Sequence, residues 1–371
     1  MSEQNAVKLV AFLDIGYKYG LFPYFGAIIK AMLNIKKQIN LKPYTTLKIG
    51  SKAAYFCVVS QEEELFEAIA FAKDKKIPIM ILGGGSNVLM TKPFPGLVIK
   101  NELKGVSVVK ETEASAWVEA RSGEWWSALV YFAVERGWGG AENLYYVPGT
   151  VGAAPIQNIG AYGVELKDVF YSLRAIDLKT GREKIFKIND CAFGYRDSVF
   201  KNRFKGKYFV AGVTIKLSKQ PRLHLDYGNI RDELERLGIK KPSIIELADI
   251  IRKIRDSKLP NPAVLPNAGS FFKNPEISAA AFKKIQKSFP DMKSFPGSKP
   301  NSIKIPAAWL IEQAGFKGKR FGPVGMYEKQ ALILVNYGGA TAKQAVAQVK
   351  RVQDGVYKKF GLKIEPEVNI I

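Results

Sequence analysis

Three short stretches carry side chains whose types could do chemistry. PNAGSFFKNP, residues 266–275, sets Ser270 between a glycine and two phenylalanines, in a loop fenced by prolines. FGYRDSVFK, residues 193–201, holds Arg196 between an aromatic ring and an acid. A guanidinium is a fixed two-pronged donor suited to carboxylate or phosphate, although an Arg-Asp pair alone reads equally as a surface ion pair. IEPEVNI, residues 364–370, places Glu365 and Glu367 either side of Pro366. In extended chain that spacing points both carboxylates to one face. A serine is a weak nucleophile without an adjacent base, and the chain has one histidine, His224, and two cysteines, Cys57 and Cys191. His224 lies in LHLDYG, an alternating run that predicts a strand and a structural histidine. Two widely separated cysteines make neither a zinc site nor a disulfide framework. No metal is expected, and a reducing cytosol fits.

Two glycine-rich stretches could bind rather than react. LGGGSNVL, residues 82–89, runs from a predicted strand into Gly83, Gly84, Gly85, Ser86 and Asn87. Successive amides in such a turn make an anion nest, for which pyrophosphate is a natural guest. The stretch is neither GxGxxG opening a helix nor a P-loop, so a plain tight turn stays open. PGTVGAAPIQNIGAYGVE, residues 148–165, places Gly149, Gly152, Gly160 and Gly163 among small residues, with no charge before Glu165. A flat polycyclic ligand lying on main chain would need that much bare backbone. Gln157, Asn158 and Tyr162 would aim hydrogen bonds at it. The alternative is a structural loop.

The elements that must position these residues are legible in part. Ser60 and Glu63 read as a capping box opening a helix with Leu65, Phe66, Ile69 and Ala72 on one face. IPIMIL, 77–82, reads as a buried strand. LVIK, VSVV and AWVEA are strand-like. Residues 124–136 read as a helix with Trp126, Leu129, Val130 and Ala133 inward. Strands return over 169–178, 182–188 and 208–217. After Pro221 the character changes. Ser243 and Glu246 form a second capping box, and Ile244, Leu247, Ala248, Ile251 and Ile254 follow at helical spacing. A short helix over 306–314 precedes a long one over 341–358, striped by Ala345, Val349, Val352 and Val356. The order is α/β, strand-rich, α/β, which points to an α+β chain of two or three domains.

Composition narrows the partners. Across 371 residues, 56 Lys and Arg against 34 Asp and Glu give a net charge of +22. That excess favours acidic ligands: nucleic acid, anionic membrane or phosphorylated small molecules. No helix-turn-helix, zinc pattern or RRM-like aromatic run supports nucleic acid. Residues 7–33 are apolar-rich, but Asp14, Lys18, Lys30 and Pro23 interrupt them, short of the ~20 apolar residues a span needs. No membrane segment or signal peptide is expected there. The stretch reads as a surface-seeking segment or as an extension upstream of a start at Met32.

In order, LGGGSNVL, PGTVGAAPIQNIGAYGVE, FGYRDSVFK, LDYGNI, RDSKLPNP, NAGSFFKNP, KQALILVN and EPEV closely resemble the UDP-N-acetylenolpyruvoylglucosamine reductases, also called UDP-N-acetylmuramate dehydrogenases. The match runs from about residue 41 to 371, and the form around Tyr227 resembles the subclass with a tyrosine loop over the substrate. The resemblance implies a cytoplasmic, monomeric flavoenzyme of peptidoglycan precursor synthesis. It implies a two-part FAD-binding region of the vanillyl-alcohol-oxidase type (41–105 and 106–220) and an α/β substrate domain (221–371), with 1–40 as an extension. NADPH would reduce the flavin, and the reduced flavin would pass hydride to the enolpyruvyl group of UDP-N-acetylglucosamine enolpyruvate. Ser270 matches the family's proton donor, Glu367 the acid beside it, and Arg196 the stabiliser of the enolate-like intermediate. Gly83 to Asn87, Gly149, Gly152, Gln157, Asn158, Gly160, Tyr162 and Gly163 match FAD contacts. Tyr227, Lys258, Asn274 and Gln330 match substrate contacts, with Lys258 and Tyr227 toward the diphosphate. Two positions depart from the family: Asn369 where an arginine is usual, and Thr45 where some relatives carry asparagine. Flavin oxidases of the same type that attach FAD covalently use histidine or cysteine, which this chain nearly lacks.

Overall fold

Strand Lys52–Val59 leads into helix Glu62–Lys75 because Glu64 gathers the free amides at the turn. Its Oε2 accepts from Ser60 N at 2.6 Å, Ser60 Oγ at 3.0 Å and Gln61 N at 2.9 Å. The capping register is therefore one residue later than the expected Ser60–Glu63 box. The buried stripe is Leu65, Ala68, Ile69 and Ala72, the i, i+3, i+4, i+7 pattern of one helix face. Phe66, expected inward, falls off that stripe and is exposed. The computed structural model describes residues 33–227 and 229–371, as one unit spanning Leu33–Ile371. The expectations for the apolar N-terminal stretch and for Met32 lie outside the described residues.

Four strands form the first sheet, in the order Lys36–Asn40, Lys52–Val59, Phe94–Asn101, Ile79–Leu82. The first pair is antiparallel and the other two are parallel. Residues 36–40, expected in the extension, thus belong to this sheet. Ile79–Leu82 is an edge strand with only Leu82 fully buried, a correction to the buried strand expected from its apolar run. Five antiparallel strands form the second sheet: Glu183–Lys187, Phe170–Asp177, Tyr208–Ser218, Ser115–Arg121, Val106–Glu111. Helix Trp126–Val134 packs Trp126, Leu129, Val130 and Ala133 beneath it, as its spacing predicts. Residues 223–227 of LHLDYG form no strand. Leu223 and Leu225 do pack inward while His224 stays exposed, so the alternation is real without a sheet partner.

The C-terminal part opens with the Ser243 box, where Ser243 N donates to Glu246 Oε2 at 2.7 Å and Ser243 Oγ accepts from Glu246 N at 3.2 Å. Helix Ile244–Lys258 then buries all five predicted apolar positions. The third sheet runs Asn267–Ser270, Ile333–Asn336, Val324–Met326, Arg320–Phe321. Helices Ala307–Gln313 and Ala342–Phe360 share a core with Phe271 and Phe272. The long helix is capped by Thr341 and ended by Gly361 at φ +67°, a left-handed conformation glycine adopts without strain. The tail then returns to the first glycine turn: Asn369–Ile370 pairs in parallel with Val88–Leu89.

Candidate active site

Main-chain pairing brings the tail to the serine loop. Glu367 N donates to Phe271 O at 2.7 Å, Lys273 N donates to Glu365 O at 2.9 Å, and Phe272 bridges Pro366. Phe271 and Phe272, both buried, anchor this ladder in the third core. Ser270 ends its strand opposite Ile333. It is exposed, and among the described residues its hydroxyl has no partner. Gly269 before it sits at φ +70° with nothing near where a Cβ would stand. Glycine suits that left-handed conformation.

Arg196 comes from the loop between Ile188–Cys191 and strand Tyr208–Ser218. Gly194 and Asp197 exchange both backbone hydrogen bonds across a tight turn, and Arg196 occupies that turn at φ +53°. Its guanidinium ignores Asp197. Nε lies 3.3 Å from Glu367 Oε1, and Nη2 donates to Gly160 O at 2.6 Å. Asp197 is spent on Ser198 N and Asn202 Nδ2, each at 2.9 Å. The ambiguous Arg-Asp motif therefore resolves into a largely buried Arg196–Glu367 pair. Gln157 completes it: Nε2 donates to Glu367 Oε1 at 3.2 Å while Oε1 accepts from Asn87 Nδ2 at 2.8 Å. Asn369 donates to Asn87 O from both backbone and side chain, each at 3.1 Å. The family departure at 369 thus fastens the tail to the glycine turn.

The two glycine stretches face each other. A Cβ on Gly83 would meet Thr150 Oγ1 at 2.5 Å, and one on Gly84 would meet the Trp125 ring at 2.9 Å. Gly149, at φ +112°, faces Ser86 Oγ across the gap, and Gly152 lies against Ser122. Gly85 combines φ +66° with a would-be Cβ only 2.0 Å from Tyr44 O. Among the described residues the amides of Gly83 to Asn87 donate no hydrogen bond. A cleft with this much bare backbone and a row of unspent amides fits a pyrophosphate-bearing planar cofactor.

The remaining predicted residues divide. Asn158 spends its side chain inside the protein. It is fully buried, and its side chain binds Glu165 Oε2, Gly194 O and Lys167 N, all at 3.0 Å. Its amide is consumed holding the Arg196 turn against the loop. Tyr162 meets the Tyr227 ring edge-on at 6.0 Å, and Gly163 lies against that same ring. Tyr227 also stacks on Phe295 at 6.3 Å. Asn274 Oδ1 accepts from Ala307 N at 2.9 Å, leaving its NH2 unspent among the described residues. Gln330 lies in the turn before Ile333–Asn336, with Ile333 N donating to its carbonyl at 3.1 Å. Lys258 ends its helix, half-buried, and among the described residues no hydrogen bond or ion pair ties it to the others.

Some structural contributors were not legible. Asn143, wholly buried, donates to Tyr162 O at 2.9 Å and His224 O at 3.0 Å, clamping the Tyr227 loop to the second glycine stretch. Thr46 Oγ1 donates to Asn267 O at 2.6 Å and ties the stretch before strand Lys52–Val59 to the serine strand. Both are ordinary polar residues whose partners lie far along the chain. Tyr195 also escaped. Burial pushes its phenol up, and Lys304 Nζ sits 3.9 Å over its ring. Cys57 and Cys191 are buried free thiols pushed up to about 12 by burial, so neither is a nucleophile or a flavin anchor. No His, Cys, Asp and Glu cluster fit for a metal occurs among the described residues.

The family described as FAD binding domain matches residues 53–186, and the C-terminal domain family of UDP-N-acetylenolpyruvoylglucosamine reductase matches residues 261–371. An α+β chain with that domain over its glycine cleft is an FAD-binding oxidoreductase. The curated UDP-N-acetylenolpyruvoylglucosamine reductase of Pseudomonas aeruginosa is 44% identical over 91% of this chain and 99% of its own. That of Flavobacterium johnsoniae is 45% identical over 91% and 100%. The chain belongs to the UDP-N-acetylenolpyruvoylglucosamine reductase family. The crystal structure of the reductase from Thermus caldophilus shares the fold, with a TM-score of 0.63, 24% identity and coverage of 91% and 99%.

Proposed function

We propose that the chain reduces UDP-N-acetylglucosamine enolpyruvate to UDP-N-acetylmuramate at the expense of NADPH, as a cytoplasmic monomer. The supporting observation is convergence. Arg196 pairs with Glu367, Glu367 is bonded through its main chain to Phe271, the residue after Ser270, and Gln157 ties Glu367 to Asn87 of the glycine turn. FAD, when bound, supplies the hydride chemistry between NADPH and the enolpyruvyl double bond. The protein's part is charge and proton placement. Adding hydride to the terminal carbon drives negative charge onto the neighbouring carbon and the carboxylate. Arg196, held at Gly160 O and Glu367, offers its fork to that charge. Ser270 gives its proton to the carbon beside the carboxylate. That carbon is so basic that a serine needs no histidine, and solvent restores the proton. Glu367 sets the orientation of Arg196 and lies next to the serine loop.

Gly83 to Asn87, with Gly149, Gly152 and Gly160, would cradle FAD. Gln157 would stand at the flavin edge through its bridge from Asn87 to Glu367. Tyr227, with Tyr162 and Gly163 behind it, would cover the substrate, and Lys258, Asn274 and Gln330 would contact it. The first four-stranded sheet would belong to one FAD-binding part, 41–105, preceded by the strand at 36–40, the five-stranded sheet to the other, 106–220, and the sheet that holds Asn267–Ser270 to a substrate domain, 221–371. The positive field would draw in three phosphate-bearing ligands. Anaerobic mixing tests the proposal. NADPH should bleach the bound flavin, and UDP-N-acetylglucosamine enolpyruvate should restore its colour. Purified protein that takes up no flavin, or reduced flavin that this substrate leaves bleached, overturns it.

A further inference from the structure

Lys201 closes the FGYRDSVFK stretch, and none of the roles above uses it. Its side chain folds back over the turn, with Nζ 3.4 Å from Arg196 O. That carbonyl belongs to a residue held at φ +53°, where a non-glycine side chain costs about 1 kcal/mol or more. The turn is braced on three sides. Gly194 and Asp197 bond across it, Asn158 Nδ2 donates to Gly194 O at 3.0 Å, and Lys201 takes the outward carbonyl. Lys201 is half-buried, and its ammonium feels Lys273, Glu367, Asp197 and Arg196. Lys273 belongs to the serine-loop ladder through its bond to Glu365. The cation is therefore held at the Arg196 turn, within electrostatic reach of the Arg196–Glu367 pair and of Lys273 in the serine-loop ladder. Burial, with Lys273 adding to it, pulls the ammonium below its ordinary range. A charge kept there against that cost is either mere packing or a contribution to the site.

We infer that Lys201 is a positioning residue for the reduction: it locks the strained Arg196 turn through the Arg196 carbonyl and adds a second positive charge within electrostatic reach of the guanidinium. The inference rests on the proposed reaction. Lys201→Met keeps the stem and removes both the donor and the charge, whereas Lys201→Arg keeps both. In anaerobic half-reactions, Lys201→Met should reoxidise with substrate about 10- to 100-fold more slowly, with NADPH reduction within about twofold of wild type. Lys201→Arg should recover most of the loss. In calorimetry on the oxidised holoenzyme, Lys201→Met should bind UDP-N-acetylmuramate, which carries the carboxylate, several-fold more weakly, and UDP-N-acetylglucosamine, which lacks it, as wild type does. Equal slowing of both half-reactions, equal weakening of both nucleotide sugars, or no recovery in Lys201→Arg overturns the inference. So does unchanged reoxidation in Lys201→Met. Wild-type protein whose reduced flavin ignores the substrate instead sinks the proposed function, so the two failures are separable.

Discussion

Replacing Arg196 by lysine tests the proposed chemistry without removing the charge. In the wild type the guanidinium serves two acceptors at once, Glu367 Oε1 at 3.3 Å and Gly160 O at 2.6 Å, with the rest of the fork left for a ligand. A lysine ammonium is a point donor on a flexible stem and cannot hold both acceptors while presenting a flat pair to a carboxylate. The loss is about one hydrogen bond to a charged group, worth about 1.5–3 kcal/mol. If that bond strengthens as charge develops, about 1.36 kcal/mol per factor of ten in rate gives about 10- to 150-fold. The slowing should fall on flavin reoxidation by the nucleotide sugar, because only that step places charge on the substrate carboxylate. Flavin reduction by NADPH should stay within about twofold. Stopped-flow absorbance of the flavin, under anaerobic conditions and one half-reaction at a time, reads both. Reoxidation at the wild-type rate would refute the assignment of Arg196. A matched slowing of both half-reactions would show instead that the substitution merely loosened the cleft around Gly160.

Ser270→Ala should leave reduction by NADPH near normal and slow reoxidation by about 10²–10⁴-fold, the worth of a general acid; equal slowing of both would make Ser270 structural. Gly85→Ala places a methyl group 2.0 Å from Tyr44 O at φ +66°, so purified protein should carry far less flavin per chain, and full flavin content would refute the cradle. Glu62→Gln strips the helix Glu62–Lys75 of its ties to Arg174 and Arg121 on the second sheet. Hydrogen bonds from Arg174, foremost, hold the Glu62 carboxyl below its ordinary value. Its stabilisation is therefore complete above the unfolded pKa of about 4.3 and fades as pH falls through the lower folded value. Chemical denaturation should show the variant about 1–3 kcal/mol less stable at neutral pH with the gap closing in acid; a gap that is flat with pH would mean lost packing and not lost charge.

What the sequence made legible follows from range. Local signals were read well. The Ser243 box, the stripe from Ala345 to Val356 and the inward face of Trp126–Val134 depend on neighbours within a turn or two, and the structure keeps them. Local ambiguity produced the misreadings. Ser60 and Glu63 fit a capping box as well as Gln61 and Glu64 do, and only the Glu64 bonds decide the register. LHLDYG alternates in burial yet finds no strand to pair with. Asn158 gives no local sign that its side chain is spent three times over in the fold. Ser270, Arg196 and Glu367 stand out by residue type, but only the resemblance joins them in one site, because no periodicity links residues so far apart. Asn143 and Thr46 were missed for the same reason: each holds together segments that meet only in three dimensions.

The serine without a base was the central difficulty of the sequence, and the fold changes its terms. Ser270 is not placed beside any group that would take its proton; among the described residues its hydroxyl is unpartnered. What surrounds it is machinery for holding charge elsewhere. The tail is laced to the serine loop through Phe271 O, and to the glycine turn through Asn87 O. The same tail residue that bonds Phe271, Glu367, also receives Arg196 and Gln157. A shift of the tail would therefore move the carboxylate, the guanidinium and the Asn87 turn together. Under the proposed reaction, that coupling would let a weak acid suffice. Once charge arrived on the substrate carbon, a cation preorganised by the main chain would hold it, and proton donation from an exposed hydroxyl would complete a step that electrostatics had already made favourable.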